Sequence, residues 1–331
     1  MACGRDLGLE IGEELVDERE PGIERELIRL SKQVSLARRD ASGADLVYRF
    51  NQPKSVACLD AELVVEDLPA SLAQGLFAKP ARYPAKLRFA NATQFDDRRP
   101  DLRGLSVKVH GVQGATSVTG ETGVQDFTFN NYPALFAGTP EDFLSFVRAT
   151  ADGNVWRYFL SHPRSLLIVL RARSRPASPF TERYHSTTPY RFGTRGDTAV
   201  KLAVQACGAL PPVPRVDDPN YLREAVATTL RAGPVCLALM VQFQTDPNRM
   251  PIEDASVIWP EALSPFVKVA ELRIPEQQFA DDAHQRACED LQFNPWNGLA
   301  DHRPLGGINR VRREVYRALA EFRAAENAAL R

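Results

Sequence analysis

The C-terminal segment GGINRVRREVYRALAEFR places one tyrosine between two arginines at helical offsets. A helix has about 3.6 residues per turn, so Arg312 lies one turn before Tyr316 and Arg323 lies two turns after it. A guanidinium one turn from a phenol can stabilise the anionic form of that phenol. The same face borders an apolar stripe of Ile308, Val311, Val315, Leu319 and Phe322. Taken alone, the pattern is much more typical of a solvated helix face with a tyrosine at its edge, because charge runs usually face water.

Familiar catalytic signatures are missing from the rest of the sequence. There is no GxSxG elbow, no P-loop, no GxGxxG after a strand and no HExxH pair. The five histidines are His110, His162, His185, His284 and His302. They are isolated from one another in sequence, which is typical of surface or satisfied core residues rather than of zinc ligands. The residues left to carry chemistry are arginines, phenylalanines and asparagines.

Hydrophobic periodicity predicts the elements that must position these residues. A helix begins at Pro21, within an N-terminal helical segment over residues 1–40. Strand-like alternation follows in SVACLDAELVV, AKLRFAN, GLSVKVHG and QDFTFN, and then a helix with Thr139 as its N-cap. Three more strands and an intervening helix precede helices from about Asp281 to Arg331. This order argues against βαβ units and predicts one α+β domain over residues 41–331, an antiparallel β-barrel with helices outside.

Composition and charge indicate which binding partners and which cellular location to expect. The 331 residues are 44% hydrophobic and 25% charged, and the net charge of -1 gives no reason to expect nucleic acid or an anionic membrane. The five cysteines are odd in number and scattered, which predicts reduced thiols and a cytoplasmic protein. The N-terminus lacks the features of a signal peptide, and no apolar run reaches membrane-spanning length.

From about residue 45 onward the chain resembles the catalase-like haem proteins, most closely the small catalase-related peroxidases and the fatty-acid-hydroperoxide-converting members. The resemblance runs in order through VYRFNQPKSVACLDAELVV, GLFAKPARYPAKLRFAN, DLRGLSVKVHG, QDFTFNNYPALFAGTPEDFLSF, YHSTTPYRFG, VIWPEALSPFVKVAELRI and LQFNPWNGLADHRPLGGINRVRREVYRALAEFR. Each motif is weak alone, but their shared order is specific. The resemblance implies a bound haem b and a dimer or tetramer, to whose contacts the N-terminal helix can contribute. Residues 173–196 are rich in Pro, Ser, Thr and Arg and show little apolar period, which predicts a long loop near the haem or at a subunit interface.

The resemblance also assigns residues to the side of the haem that carries the iron ligand. The family binds haem iron through a tyrosinate in an Arg-x-x-x-Tyr pattern, which Arg312 and Tyr316 match. A free phenol has a pKa of about 10, but iron(III) and a nearby guanidinium both favour the anion. The family's propionate-binding arginines match Arg49, Arg88 and Arg323. Such a cluster would be costly if nothing anionic lay among its members.

On the opposite side of the haem the sequence departs from the family pattern. The distal asparagine matches Asn130, and the phenylalanine that lies flat on the haem matches Phe143, with Phe136 nearby. The distal histidine is replaced by Gln52, and the serine that normally supports it is replaced by Ala90. An amide does not titrate near neutral pH, so it cannot carry the proton that splitting hydrogen peroxide requires. Gln52 and Asn130 can still donate hydrogen bonds to a bound substrate.

These residues predict a haem enzyme that converts an organic substrate. A hydroperoxide, an N–O compound or another oxidisable molecule would undergo peroxidase, isomerase or dehydratase chemistry, with weak or no hydrogen peroxide disproportionation. One alternative is an ordinary catalase-related peroxidase in which Lys54, His110 or an ordered water replaces the histidine. Others are a non-enzymatic haem carrier or sensor, and a catalase-like fold that has lost its haem.

Overall fold

The computed structural model of the chain describes residues 8–117 and 121–330. Within these ranges lie seven α-helices: α1 (Glu20–Ser42), α2 (Pro140–Ala151), α3 (Val155–Ser161), α4 (Pro163–Ala172), α5 (Tyr221–Ala232), α6 (Asp282–Asp290) and α7 (Gly307–Leu330). None of the helices in the described ranges is long and apolar enough to cross a membrane.

Local sequence explains where the helices near the site begin and end. Helix α1 has Pro21 in its first turn and ends at Gly43, whose left-handed φ of 63° suits a residue without a β-carbon. Helix α2 begins after Thr139, whose hydroxyl accepts a hydrogen bond from the Asp142 N–H at 3.2 Å. The predicted cap at Thr139 is therefore confirmed.

The strands of the described residues form one antiparallel sheet that closes on itself. They are β1 (Lys54–Val65), β2 (Ala81–Asn91), β3 (Arg103–His110), β4 (Val124–Asn130), β5 (Tyr184–His185), β6 (Tyr190–Arg191), β7 (Ala199–Ala206), β8 (Val235–Phe243) and β9 (Val267–Ile274). Their order is β5-β4-β3-β2-β1-β9-β8-β7-β6, and β5 also pairs with β7, which closes the barrel. The predicted α+β fold with an antiparallel barrel is confirmed.

Alternating side chains divide each strand between the barrel interior and a helical layer outside. Leu87, Phe89, Leu105, Phe127 and Phe129 belong to the interior core. The intervening residues of β2, β3 and β4 face outward, as the two-residue period of a strand requires. A second apolar cluster joins the buried faces of α1, α2 and α7. The space between this helical layer and the outer barrel wall holds the predicted site residues.

Local sequence did not reveal how α1 packs or that the predicted loop contains strands. The apolar face of α1 packs on α2 and α7 of its own chain, so it is not left free for a subunit interface. The division at residue 40 and the dimer or tetramer stay predictions. Residues 173–196 are not simply a long loop, because they contain β5 and β6 and so complete the barrel. Such short strands have too few residues to show a period.

The prediction of reduced, unpaired cysteines was wrong for four of the five residues. Disulfides join Cys58 to Cys288 and Cys207 to Cys236, with Cα–Cα distances of 5.8 Å and 5.4 Å. The sequence separations are 230 and 29 residues, so tertiary contacts rather than a spacing motif bring the pairs together. Cys3 lies outside the described residues. Cysteine usage therefore no longer supports the predicted cytoplasmic location, which stays a prediction.

Candidate functional site

A cavity of about 230 Å³ lies between the outer barrel wall and helices α1, α2 and α7. Every residue that the sequence singled out for the site contributes to its lining: Arg49, Gln52, Arg88, Asn130, Phe136, Phe143, Arg312, Tyr316 and Arg323. These residues come from widely separated segments, and strand pairing brings them together. Their co-location is a finding, whereas the role of each stays a prediction.

The wall formed by α7 carries Arg312, Tyr316 and Arg323, as helical spacing predicted. Arg312 is held by two side-chain oxygens, since its Nη1 donates to Thr188 Oγ1 at 3.2 Å and to Asn309 Oδ1 at 3.3 Å. Thr188 belongs to the segment between β5 and β6, and Asn309 is buried in the first turns of α7. Tyr316 is half-buried. Its phenol oxygen is well suited to bind a hard metal ion, and the described residues of the lining include no histidine or cysteine.

A second group of arginines, here called the arginine cluster, lies near the C-terminal end of α6. It consists of Arg49, Arg88 and Arg323. Arg49 pairs with Glu289 at 2.6 Å and donates to the carbonyl of Leu291 at 2.7 Å. Arg323 donates to the carbonyl of Glu289. The Cys58–Cys288 disulfide ties this end of α6 to β1 of the barrel. The negative end of the helix dipole thus faces two of the guanidiniums.

The positive charge of Arg49, Arg88 and Arg323 exceeds the negative charge of the neighbouring Glu289 carboxylate. Arg88 is 1% exposed, lies 3.7 Å from Glu289, and its Nε has no hydrogen-bond partner. Burial and the neighbouring guanidinium of Arg49 lower the pKa of Arg88 to about 9. The same two causes lower the pKa of Arg323 to about 10. Asp290 adds a second negative charge near Arg49 and Arg323, so three guanidiniums face two carboxylates and suit a ligand that carries additional negative charge.

Two parallel rows of residues form the barrel wall of the cavity. Arg88, Ser106 and Thr128 are cross-strand neighbours on β2, β3 and β4, and the side chains of all three line the cavity. The next outward row is Ala90, Gly104 and Asn130. Residues opposite one another in a sheet point to the same face, so both rows lie on the cavity side of the wall, and Asn130 of the second row lines the cavity.

The side chain of Gln52 lies above the second row. Its Nε2 donates to Asn130 Oδ1 at 3.2 Å, and its backbone carbonyl accepts from Arg88 Nη2 at 2.9 Å. A β-carbon at residue 104 would overlap the Gln52 carboxamide, so Gly104 makes the space in which it lies. Gln52 has a left-handed φ of 58°, which costs a non-glycine residue roughly 1–2 kcal/mol. Its hydrogen bonds and close packing hold the residue in this conformation.

The described part of the cavity wall lacks the side chains that usually act as acid or base near neutral pH. Among the described residues, those that line the cavity include no histidine, lysine, aspartate, glutamate or cysteine. Lys54 Nζ is buried and donates to Asp97 Oδ1 and to the carbonyl of Pro219, each at 2.7 Å. His110 lies at the far end of β3 from Gly104 and is not part of the lining. The two side chains considered as replacements for a distal histidine are therefore placed elsewhere.

Aromatic residues and α1 close the remaining sides of the cavity. Phe136 and Phe143 both line it, with ring centroids 6.2 Å apart, and Phe136 packs edge-on against Phe146 at 4.7 Å. Phe146 packs against the helical core. Leu27, Ser31 and Ser35 of α1 occupy one stripe of that helix and also face the cavity.

Sequence reasoning missed four residues of the site, namely Ser31, Ser35, Gly104 and Glu289. Two serines within the otherwise apolar face of α1 were a usable signal for a polar cavity beneath that helix. Gly104 lies in a strand interior, where glycine often marks close approach of another group. Glu289 had no local signal, because its importance comes from the fold that brings α6 to Arg49.

The fold itself matches solved structures. A fungal catalase superposes with a TM-score of 0.69 at 15% identity, over 88% of this chain and 63% of that chain. For catalase A from Saccharomyces cerevisiae the TM-score is 0.66 at 15% identity, over 87% and 63% of the two chains. For a bacterial catalase it is 0.65 at 16% identity, over 88% and 60%. The fold is that of the catalases.

The catalase fold is present here in a shorter chain, which spans less than two thirds of the length of these three proteins. No family model matches the sequence, and no curated protein matches it. The likeness to catalases is therefore one of fold. The specific chemistry has to be argued from the cavity on the outer barrel wall.

Proposed function

We propose that the protein is a haem-dependent enzyme that converts an organic substrate and disproportionates hydrogen peroxide weakly or not at all. The catalase fold, the Arg312–Tyr316 pair and the surplus of guanidinium charge all support a haem site. The proposal depends mainly on the composition of the cavity wall that holds Gln52 and Asn130. A Gln52–Asn130 amide pair is present there, and among the described residues the lining contains no histidine, lysine, carboxylate or cysteine that could transfer a proton near neutral pH.

The residues of the cavity fit haem b in character and placement. Tyr316 would bind the iron, with Arg312 favouring its phenolate form. Arg49, Arg88 and Arg323 would bind the propionates, whose negative charge suits the unbalanced cluster and the unpartnered Arg88 Nε. Phe136 and Phe143 would pack against the ring system. Ferric haem with a tyrosinate ligand supplies redox and Lewis-acid chemistry at oxygen or nitrogen atoms of a substrate.

The amide pair orients a substrate without exchanging a proton with it. With Gln52 Nε2 bonded to Asn130 Oδ1, the pair retains an acceptor on Gln52 and donors on Asn130. If both amides were rotated, one acceptor and a set of donors would still remain. An O–OH or N–OH group can donate to the acceptor and accept from the donors. An organic hydroperoxide, an oxime or a hydroxylamine is therefore the kind of substrate we propose.

Hydrogen peroxide is the poorer substrate of such a pocket. Its disproportionation requires a group that takes a proton from one oxygen and returns it to the other, and such help is worth ~10²–10⁴-fold. Homolytic cleavage and rearrangement of an organic substrate require less proton transfer from the protein. The alternative of an ordinary peroxidase with Lys54 or His110 as its base gains no support from the positions of those side chains.

A visible spectrum of the purified protein, followed by peroxide addition, tests the proposal. We expect a Soret band with high-spin ferric features and little release of oxygen from hydrogen peroxide. An organic hydroperoxide or oxime is expected to be consumed faster than hydrogen peroxide. Vigorous oxygen release would contradict the role of the amide pair. Firm haem binding with no turnover of any such compound would indicate a carrier or sensor, and no Soret band after hemin addition would exclude the haem site.

A further inference from the structure

A second, smaller cavity lies on the outer barrel wall beside β5, β7 and β8. Its volume is about 110 Å³, which is room for about four water molecules at ~30 Å³ each. The segment 257–266 forms its outer side and is fixed to the barrel by Gln242, whose Nε2 donates to the carbonyls of Trp259 and Ser264. The lining includes Pro133, Pro260 and Phe266 as apolar walls and His185, Lys201 and Glu261 as ionisable groups.

Lys201 brings a buried amine to this cavity without a counter-ion. Its Nζ donates to the carbonyl of Val257 at 3.0 Å and lies 5.1 Å from the centre of the Trp259 ring. Within the described part of the chain, no carboxylate lies within 4.0 Å of this nitrogen. Burial lowers the pKa of Lys201 to about 7, and the more distant Asp254 offsets this only in part. One hydrogen bond leaves two of the three ammonium N–H groups without a protein partner.

His185 faces the same cavity and is also unpartnered. It is 9% exposed, and its ring makes no hydrogen bond to the described residues, although it packs edge-on against Phe266 at 5.9 Å. Burial, together with the charges of Arg183 and Lys201, lowers its pKa to about 3. Its neutral ring therefore offers one N–H donor at physiological pH.

The charged groups around the cavity are positive or already paired. Arg183 stacks over Phe266 at 4.5 Å and forms its ion pair with Glu261 at 2.9 Å. The Asp254 carboxylate accepts from the N–H and hydroxyl of Ser256 at 2.9 Å and 2.6 Å. The unsatisfied side-chain donors of the cavity thus have no anionic partner from the protein itself.

We propose that this second cavity binds a small monocarboxylate. One carboxylate oxygen would accept from the Lys201 ammonium and the other from the His185 ring, while the short carbon chain would contact Phe266 and Pro260. The cavity volume limits the ligand to a few carbon atoms. His185 is the cross-strand neighbour of Asn130, so the bound anion would lie beside the strand that carries the distal amide, on the same outer face of the barrel. The proposal rests on Lys201 and His185 and is independent of the haem site.

Acetate titration at constant ionic strength tests the proposal on the full chain. We expect acetate, against chloride as reference, to raise the melting temperature of the wild type with saturation, and we expect Lys201→Met to abolish the effect. Methionine has a similar length without the charge, so this variant is expected to fold and to gain stability. Lys268→Met, at a lysine whose side chain is 48% exposed on β9, is the matched control and should keep the wild-type response.

Calorimetry of acetate binding at pH 8 gives an independent readout. Because Lys201 is largely neutral there and charged in the complex, binding should take up close to one proton, seen by comparing buffers of different ionisation enthalpy. Equal acetate responses in wild type, Lys201→Met and Lys268→Met would show only an adventitious ion and overturn the proposal, as would no binding at all. If Lys201→Met fails to fold, NMR of the wild-type protein with ¹³Cε-labelled lysine tests the proposal instead. Acetate binding should raise the titration midpoint of Lys201, and an unchanged midpoint would overturn the proposal.

Discussion

The carboxamide of Gln52 lies directly against Gly104, where a β-carbon would overlap its nitrogen, oxygen and carbon atoms. Gly104 is also the cross-strand neighbour of both Ala90 and Asn130. The small residues Ala90 and Gly104 therefore leave a shallow depression on the sheet, which we call the Gln52 seat. The amide of Asn130 closes one end of it. The seat explains how Gln52 can hold a left-handed backbone and still direct its side chain to the cavity wall.

Gly104→Ala tests this seat. The added methyl group should displace the Gln52 side chain and destabilise the protein by ~1–3 kcal/mol, as overpacking typically does. In Gly104→Ala/Gln52→Ala the overlap is removed, so much of the loss should be recovered. Urea unfolding of the apoprotein measures this coupling without haem. Gly208→Ala is the control, since a β-carbon there meets no atom within 4 Å. Strictly additive effects of the two substitutions would show that residues 52 and 104 do not interact.

Tyr316→Phe tests the proposed iron ligand. Removal of the phenol oxygen should lower haem content and shift the Soret band, because the axial ligand governs the spectrum of ferric haem. Tyr83→Phe, at a half-buried tyrosine of β2 outside the cavity lining, should leave both unchanged. Haem content and spectrum after hemin reconstitution are the measurements. If Tyr316→Phe matched the wild type in both, the ligand would have to be another residue.

Gln52→His combined with Ala90→Ser tests the distal assignment. The pair would introduce a titratable group and a hydroxyl to support it, and acid–base help of this kind is worth ~10²–10⁴-fold. Oxygen release from hydrogen peroxide should therefore rise by at least about tenfold. Ala90→Ser alone serves as the control and should remain near the wild-type rate. Unchanged oxygen release in a double variant that still binds haem would argue against a distal position for Gln52.

His302 should make stability depend on acid pH. It is 3% exposed, and its Nε2 accepts a hydrogen bond from the Leu76 N–H at 3.0 Å, which requires the neutral ring. Burial lowers its pKa to about 4, compared with about 6.5 in the unfolded chain. The unfolded state thus binds more protons between these values, so stability should fall by up to about 3 kcal/mol as pH decreases through that window.

His302→Gln is the variant that isolates this effect. Glutamine can accept the same hydrogen bond from Leu76 but does not titrate. Its free energy of unfolding, measured in urea from pH 7 to pH 4, should decline less steeply than that of the wild type. Other buried groups that titrate in this range are present in both proteins and cancel in the comparison. Parallel pH profiles would show that His302 is not the responsible group.

Sequence alone determined those parts of the protein that depend on local periodicity. The 3.6-residue helical period placed Arg312, Tyr316 and Arg323 on one face of α7, and the two-residue strand period divided β2, β3 and β4 between core and cavity. The order of strands and helices predicted an α+β barrel, which is confirmed. Collinear motifs then pointed to the residues that line one cavity, although their roles remain to be tested.

Tertiary structure alone decided which distant residues complete the site. Closure of the barrel through β5 and β7, the position of Gly104 beneath Gln52 and the arrival of Glu289 at Arg49 all join residues far apart in sequence. The Cys58–Cys288 disulfide is of the same kind. Such contacts depend on strand register and on the packing of whole elements, and neither leaves a periodic signal in the residues concerned.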